Sequence, residues 1–355
     1  MEIRFPLILD GATGTELQKR GYTGESCAEQ WVLEHPETIR EVQRGYLDAG
    51  SRVVYAPTFG ANRQKLEERG IMNRTAEYNR RLAALSQEAA ANRAWVAGDI
   101  APTGLFLAPL GEASFEELVD IYTEQAAGLE EAGVDLYAIE TMMTLSDARA
   151  AVLAVRSVSD KPIFVSFTCD PTGRTLTGTD VAAALTVLQG MGVSAFGLNC
   201  SAGPAQMLPL LQRLREYARV PLLAKPNAGM PEIVDGRAVY DCPPEEFTAC
   251  VPAMLEAGVA IFGGCCGTDR TSLEDARADA QPEPEPTVAL ALGSWDELDA
   301  LVDCQFQLEK PLCLVCDDAE LLEAALRLYQ GRALYEGSLP EATLLPLCEK
   351  YGLLI

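Results

Sequence analysis

The chain has 355 residues, 48% of them hydrophobic and 23% charged, with a formal net charge of -24. That length can bury a large core, as one barrel or as two domains, and no apolar stretch is long enough to span a bilayer. The acidic balance leaves no basic footprint for phosphates, so neither nucleic acid nor a membrane is expected as a partner. The opening residues, MEIRFPLILDGATG, show no long apolar segment with a small-residue cleavage site. Eleven irregularly spaced cysteines read as reduced thiols rather than a disulfide framework. Both features lead to the expectation of a cytoplasmic protein.

In chain order, PLILD (6–10) is a short apolar run closing on Asp10 and followed by the loop GATGT. Residues 38–50 have helical spacing and end on Gly50. Strand-like runs then cover 51–59, 95–100, 134–141, 161–168, 193–200, 220–228 and 259–266. Helical patterns alternate with them over 76–93, 114–133, 145–159, 180–192, 204–218 and 244–258, with a last helical stretch after Asp269. The helix over 114–133 opens on the capping pattern Ser114…Glu117 and stops at Gly133. Eight strand–helix units in this order are the signature of a (β/α)8 TIM barrel. The near-continuous apolar strands suit a sheet covered on both faces. A doubly wound open sheet is the alternative, weakened because no GxGxxG or Walker loop opens any of these helices.

A barrel puts its chemistry where strands end, on one face. Asp10, Thr58, Glu140, Cys200, Asn227, Cys265 and Cys266 all fall at such ends. Three thiols arriving from two strand ends are the right number for a catalytic zinc with one open position. Gly263, Gly264 and Gly267 would let the chain turn so that Cys265 and Cys266 converge. Two other readings stay open. Free cysteine is among the most buried residue types, so each thiol alone could be core. A vicinal disulfide would need a strained ring and an oxidising compartment. His35, the one histidine, reads as a surface or capping residue. Cys313 and Cys316 in CLVC would face opposite ways in a strand, which speaks against a shared metal.

The segments LDGATGTEL, TFGANRQKL, AIET, GLNC, PNAG and GGCCGT together resemble the homocysteine S-methyltransferase family. The likeness is greatest to the homocysteine-binding module of cobalamin-dependent methionine synthase, and it covers residues 5–275. It implies a barrel over 1–279 in which Cys200, Cys265 and Cys266 hold Zn2+ and serve catalysis, the homocysteine thiolate taking the fourth place. It implies methyl transfer to that thiolate, giving methionine. It further implies substrate contacts from Asp10 with Gly11 and Ala12, from Thr58, and from Glu140 to the ammonium. Asn227 would hold the fourth metal position in the substrate-free state. A free thiol titrates near ~8.5 and is mostly protonated at neutral pH. Metal binding removes that proton, so no general base is needed.

The character of the chain changes at 280–287, AQPEPEPT, which reads as an exposed linker. Residues 288–355 read as a small α/β segment, marginal in size as a domain. Within it, DDAELLEAALRLYQGRAL resembles one strand–helix unit of a pterin-binding barrel. The rest of such a barrel and a cobalamin-binding module are not in this sequence. The expected donor is therefore a methylcorrinoid (cobalamin) on a separate partner protein. A small sulfonium donor, a different thiol substrate, and a non-catalytic zinc- and homocysteine-binding sensor or carrier are the alternatives.

Overall fold

The structure, a computed structural model, describes residues 5–234, 237–274, 288–305, 312–329 and 333–354. They divide into two compact units, with the boundary between 281 and 282. The segment read as a linker, 280–287, lies outside the described residues.

In the first unit, eight parallel strands form one sheet. They are β1 (Leu7–Ile8), β2 (Val53–Tyr55), β3 (Trp95–Ile100), β4 (Leu136–Met142), β5 (Ile163–Phe167), β6 (Ala195–Asn199), β7 (Leu222–Lys225) and β10 (Val259–Phe262). An antiparallel hairpin, β8 (Glu232–Val234) with β9 (Arg237–Val239), is inserted between β7 and β10. The sheet order is β1-β10-β7-β6-β5-β4-β3-β2. The edges β1 and β2 meet where the Arg52 N–H donates to the Ile8 carbonyl at 2.8 Å and the Ser51 hydroxyl to the Leu9 carbonyl at 2.9 Å. The (β/α)8 barrel expected from the sequence is the observed fold.

Alternation along the strands builds two apolar layers. Leu7, Val53, Ala97, Leu136, Ala138, Phe164, Ala195, Leu223 and Ile261 form a cluster filling the barrel axis. The intervening residues, such as Val54, Val96, Ile139, Val165 and Phe196, pack outward under the helices. The helix Phe115–Ala132 begins where the Ser114 hydroxyl accepts the Glu117 N–H at 3.0 Å and ends on Gly133 at φ +78°, as the capping pattern required. The helical pattern over 244–258 is instead broken into Pro244–Thr248 and Val251–Glu256. Pro252 lacks an N–H and its ring would strike the carbonyl of Thr248, which disfavours one continuous helix here. Short helices at Gly14–Lys19, Ala28–Glu34 and Arg63–Glu68 were not expected. Segments of two turns or fewer carry too little periodicity to read.

The second unit has a three-stranded parallel sheet, Val288–Ala291, Leu312–Val315 and Leu334–Glu336 in that order. Leu298, Leu301, Leu314, Leu322 and Leu347 help to form a core of its own. Cys316 lies in that core and its thiol donates to the Asp318 carbonyl at 3.3 Å, a structural use. Among the described residues no helix is long and apolar enough to cross a membrane.

Among the described glycines of the barrel, Gly197 leaves the least room, since an added Cβ would stand 1.7 Å from the Leu223 carbonyl oxygen. Gly197→Ala must therefore push β6 off β7. It is expected to cost about 3 kcal/mol of stability, at the upper end of overpacking effects, read as a lowered urea midpoint with an unchanged slope.

Candidate active site

The polar end of the barrel follows from the same period of two that builds its interior. Two residues beyond inward-facing Ala97, Ala138 and Leu223 come Asp99, Glu140 and Lys225. All three are buried. They border a cavity of about 290 Å³ together with Asp10, Tyr55, Cys200, Cys265 and Cys266. The helix Ala28–Glu34 contributes Glu29 and Val32 to the same wall.

Main-chain hydrogen bonds lace the three thiol-bearing turns together. The Cys200 N–H donates to the Lys225 carbonyl at 3.2 Å, and the Cys265 N–H to the Pro226 carbonyl at 2.8 Å. The Ala228 N–H donates to the Cys266 carbonyl at 2.9 Å. Cys200 itself has φ +54°, the left-handed region, which turns its thiol off the strand direction and toward the pair. The Cys200 and Cys266 sulfurs are 3.6 Å apart, and all three sulfurs lie within 4.8 Å of one another. Asn199 braces the group. Its amide meets the N–H and hydroxyl of Thr141 at 2.8 and 2.7 Å and approaches the Cys265 sulfur at 4.0 Å.

Three thiols this close cannot all ionise alone. Hydrogen bonds from Cys200 and Cys265, helped by the Tyr240 hydroxyl, pull Cys266 far below the usual thiol range despite burial. At Cys200 a hydrogen bond with Cys265 lowers the pKa. The bond to Cys266, burial and the Cys266 charge outweigh it and push the thiol up to about 12. Cys265 is driven up by its hydrogen bonds to both neighbours and by burial. A cation among them removes this conflict, and the arrangement suits three ligands of one metal ion.

Opposite the thiols sits a buried ammonium. Lys225 Nζ lies 3.2 Å from Glu140 Oε2, 3.5 Å from Asp10 Oδ1, and 3.6 Å above the Tyr55 ring. Burial works against its charge, but Glu140 and Asp10 keep it protonated, with its pKa well above the ordinary value. Asp10 also accepts the Tyr55 N–H at 2.7 Å. Burial pushes its carboxyl up to about 6, against the pull of Lys225 and that N–H.

Residues 7–279 match the family model for homocysteine S-methyltransferase. The chain belongs to the homocysteine S-methyltransferase family. Methionine synthase of Mycobacterium tuberculosis (strain ATCC 25618 / H37Rv) is 31% identical over 309 residues, covering 80% of this chain and 26% of the relative. That of Mycobacterium leprae (strain TN) is 32% identical over 290 residues, covering 77% and 24%. The chain thus spans about a quarter of the length of these relatives. Among solved structures, the homocysteine methyltransferase MmuM of Escherichia coli superposes with a TM-score of 0.66 at 26% identity. The match covers 77% of this chain and 95% of that one, and the E. coli protein has been solved in oxidized and metallated forms.

Most of the family residues singled out in the sequence meet in the cavity: Asp10, Gly11, Ala12, Glu140 and the three cysteines line it. Two details differ from the simplest picture. The Ala12 N–H is already spent on the Thr268 hydroxyl at 3.2 Å, so of the two loop amides only that of Gly11 has no acceptor among the described residues. Thr58 lies behind the wall, fully buried, its hydroxyl donating to the Asp99 carbonyl at 2.7 Å and meeting the Asp99 N–H at 3.2 Å. Asn227 is buried beside the thiol turns with its Oδ1 unpartnered. Sequence reasoning passed over Lys225, Asp99 and Glu29. For the first two the signal was present, as a charge set within an apolar strand.

Lys225→Met would leave Asp10 and Glu140 buried without their counter-ion. The expected loss is about 3–5 kcal/mol at pH 8. It should be smaller at pH 5, since Asp10, already raised to about 6, rises further and takes up a proton there. A carboxyl whose folded pKa exceeds its unfolded value stabilises the fold below that pKa, and the contribution is lost as pH rises through it. Urea unfolding at the two pH values measures both; an equal loss at each would contradict this account.

Proposed function

We propose that this barrel transfers a methyl group to the thiol of homocysteine, giving methionine, with Zn2+ held by Cys200, Cys265 and Cys266. The observation that carries the reading is the thiol triad lining a cavity of about 290 Å³, which has room for a small amino acid. Tetrahedral zinc with sulfur ligands at ~2.3 Å sets sulfurs about 3.8 Å apart, and the 3.6 Å between Cys200 and Cys266 is compatible with it. The unpartnered Oδ1 of Asn227 supports a fourth ligand there when no thiol is bound. When bound, the metal would lower the pKa of the substrate thiol and keep its sulfur nucleophilic at neutral pH.

The chain's own side chains bind and orient the rest of the molecule. Glu140 and the acidic wall suit the ammonium, and the Gly11 N–H suits the carboxylate. Thr58 acts through the main chain of Asp99, fixing the end of β3 rather than reaching the substrate. Leu17, Val32 and Phe59 border the cavity and limit water around the sulfur. The one histidine, His35, is exposed and stacks on Trp31 at 4.3 Å between ring centroids, so no imidazole base is called on.

For the donor we favour a methylcorrinoid on a separate protein. Its support is the naming of the relatives as methionine synthases and a set of exposed apolar side chains on loops that follow strand ends. These include Phe59, Leu110, Leu176 and Met230. A docking protein would cover such groups. The match to 95% of the E. coli methyltransferase favours a second reading, a barrel that acts without a partner, for which a small sulfonium compound would be the donor. A reducing cytoplasm would keep the triad able to bind metal.

One zinc per chain is expected by elemental analysis. Cys200→Ala, Cys265→Ala and Cys266→Ala should each lose the metal and lower methionine formation at least about 10³-fold, as expected when a group is essential to the reacting unit. Full activity in metal-free protein would refute the proposal. Methionine production from homocysteine with a methylcorrinoid protein, S-methylmethionine or S-adenosylmethionine separates the donors; homocysteine binding without turnover on any of them would leave a sensor or carrier.

A further inference from the structure

A repeating strand–helix barrel has no need of the hairpin β8–β9, yet the chain leaving it returns to the thiols. The hairpin ends at Val239, one residue before Tyr240. The segment that follows is tied to the thiol turns through one residue. The Ala228 N–H donates to the Cys266 carbonyl at 2.9 Å, and the Ala228 carbonyl accepts the Cys242 N–H at 3.1 Å. Half-buried Tyr240 is thereby laid on the turn that carries Cys266. Gly267, at φ +84°, leaves the room, since a Cβ there would run into the Tyr240 ring. Gly267 is fixed in its turn, its N–H donating to the Thr15 hydroxyl at 3.3 Å.

Held in this way, the Tyr240 hydroxyl hydrogen-bonds the Cys266 sulfur, with the phenol as donor and the thiolate as acceptor. Cys266 borders the cavity and Tyr240 does not. The hydroxyl therefore meets the sulfur without lining the space a ligand would fill. Cys265, by comparison, is approached by the Asn199 amide at 4.0 Å. Hydrogen bonds to an ionised acceptor are the strong ones. Three thiolates outweigh the charge of a divalent cation, and a substrate thiolate adds to the excess. A hydroxyl donor draws electron density off one sulfur, and partners of this kind both orient ligands and tune the metal.

We propose that Tyr240 is a positioning residue of the metal centre. In the metal-loaded protein its hydroxyl donates to the Cys266 sulfur, holds that ligand in place and withdraws charge from it, so that a further thiolate is accepted more readily. The inference rests on the metal assignment made above and adds to it a residue that acts only through Cys266.

Cobalt(II) reports on the sulfurs, because its sulfur-to-metal charge-transfer band moves to longer wavelength as a thiolate becomes more electron-rich. Tyr240→Phe keeps the ring against Gly267 and removes only the hydroxyl. In cobalt-loaded protein it should move the band to longer wavelength. In competition with a chelator it should weaken zinc roughly 10- to 100-fold, the usual effect of losing a ligand's partner. A tyrosine fluorinated beside its hydroxyl, incorporated at position 240, is a stronger donor of nearly the same size. It should move the band to shorter wavelength, and it carries the test if Tyr240→Phe does not fold by thermal melting. A band that stays in place or moves the other way in either folded protein would overturn the inference and leave the metal reading standing. So would a zinc affinity of Tyr240→Phe within about threefold of the unaltered protein. Failure of the unaltered protein to bind cobalt or zinc would overturn both.

Discussion

One buried ammonium holds the polar end of the barrel together. Lys225 ends β7, yet its contacts reach Asp10 beyond β1 and Glu140 at the end of β4, strands that are not its neighbours in the sheet. A lysine out of water is stable only where its partners replace solvent. Asp10 needs it in turn, because burial pushes its carboxyl toward the neutral form and Lys225 pulls against that. The three strand ends are therefore fixed by mutual need, and the cavity between them has a defined shape before any ligand arrives.

The thiol turns draw on the same framework. Cys200 follows Asn199 in a left-handed conformation, and Thr141, which Asn199 grips, has φ +59°. Such conformations cost energy in non-glycine residues and persist only where surrounding bonds enforce them. Here those bonds are the Asn199 amide, the Lys225 carbonyl and the crossed main-chain pairs among 226–228 and 264–266. Strain is held at Thr141 and Cys200, on the rim of the barrel.

Much of this was legible in the sequence. Eight apolar runs separated by helical patterns gave the barrel, because strands covered on both faces leave a continuous signal. The cysteines could be gathered because strand ends share one rim. Less legible was anything set by pairing across the sheet. That the Ala12 amide would be taken by Thr268, 256 residues away, depends on β1 lying beside β10. Thr58 likewise turned out to serve the main chain of β3. The break at Pro252 was readable and was passed over, since the apolar periodicity continues on both sides of it. Lys225 and Asp99 needed only the strand period carried one step past the last apolar residue.

The pairing of β1 with β10 also has a bearing on how the protein is made. The register Leu7↔Ile261 joins nearly the two ends of the barrel sequence. Long-range closure of this kind is slow and comes late in folding. On a ribosome the N-terminal strands emerge first, and Cys200 is exposed to the cell well before Cys265 and Cys266. A growing chain therefore offers Cys200 without its two metal-binding partners, not the chelating set. The grip on a metal comes into being only when synthesis of the barrel is nearly done.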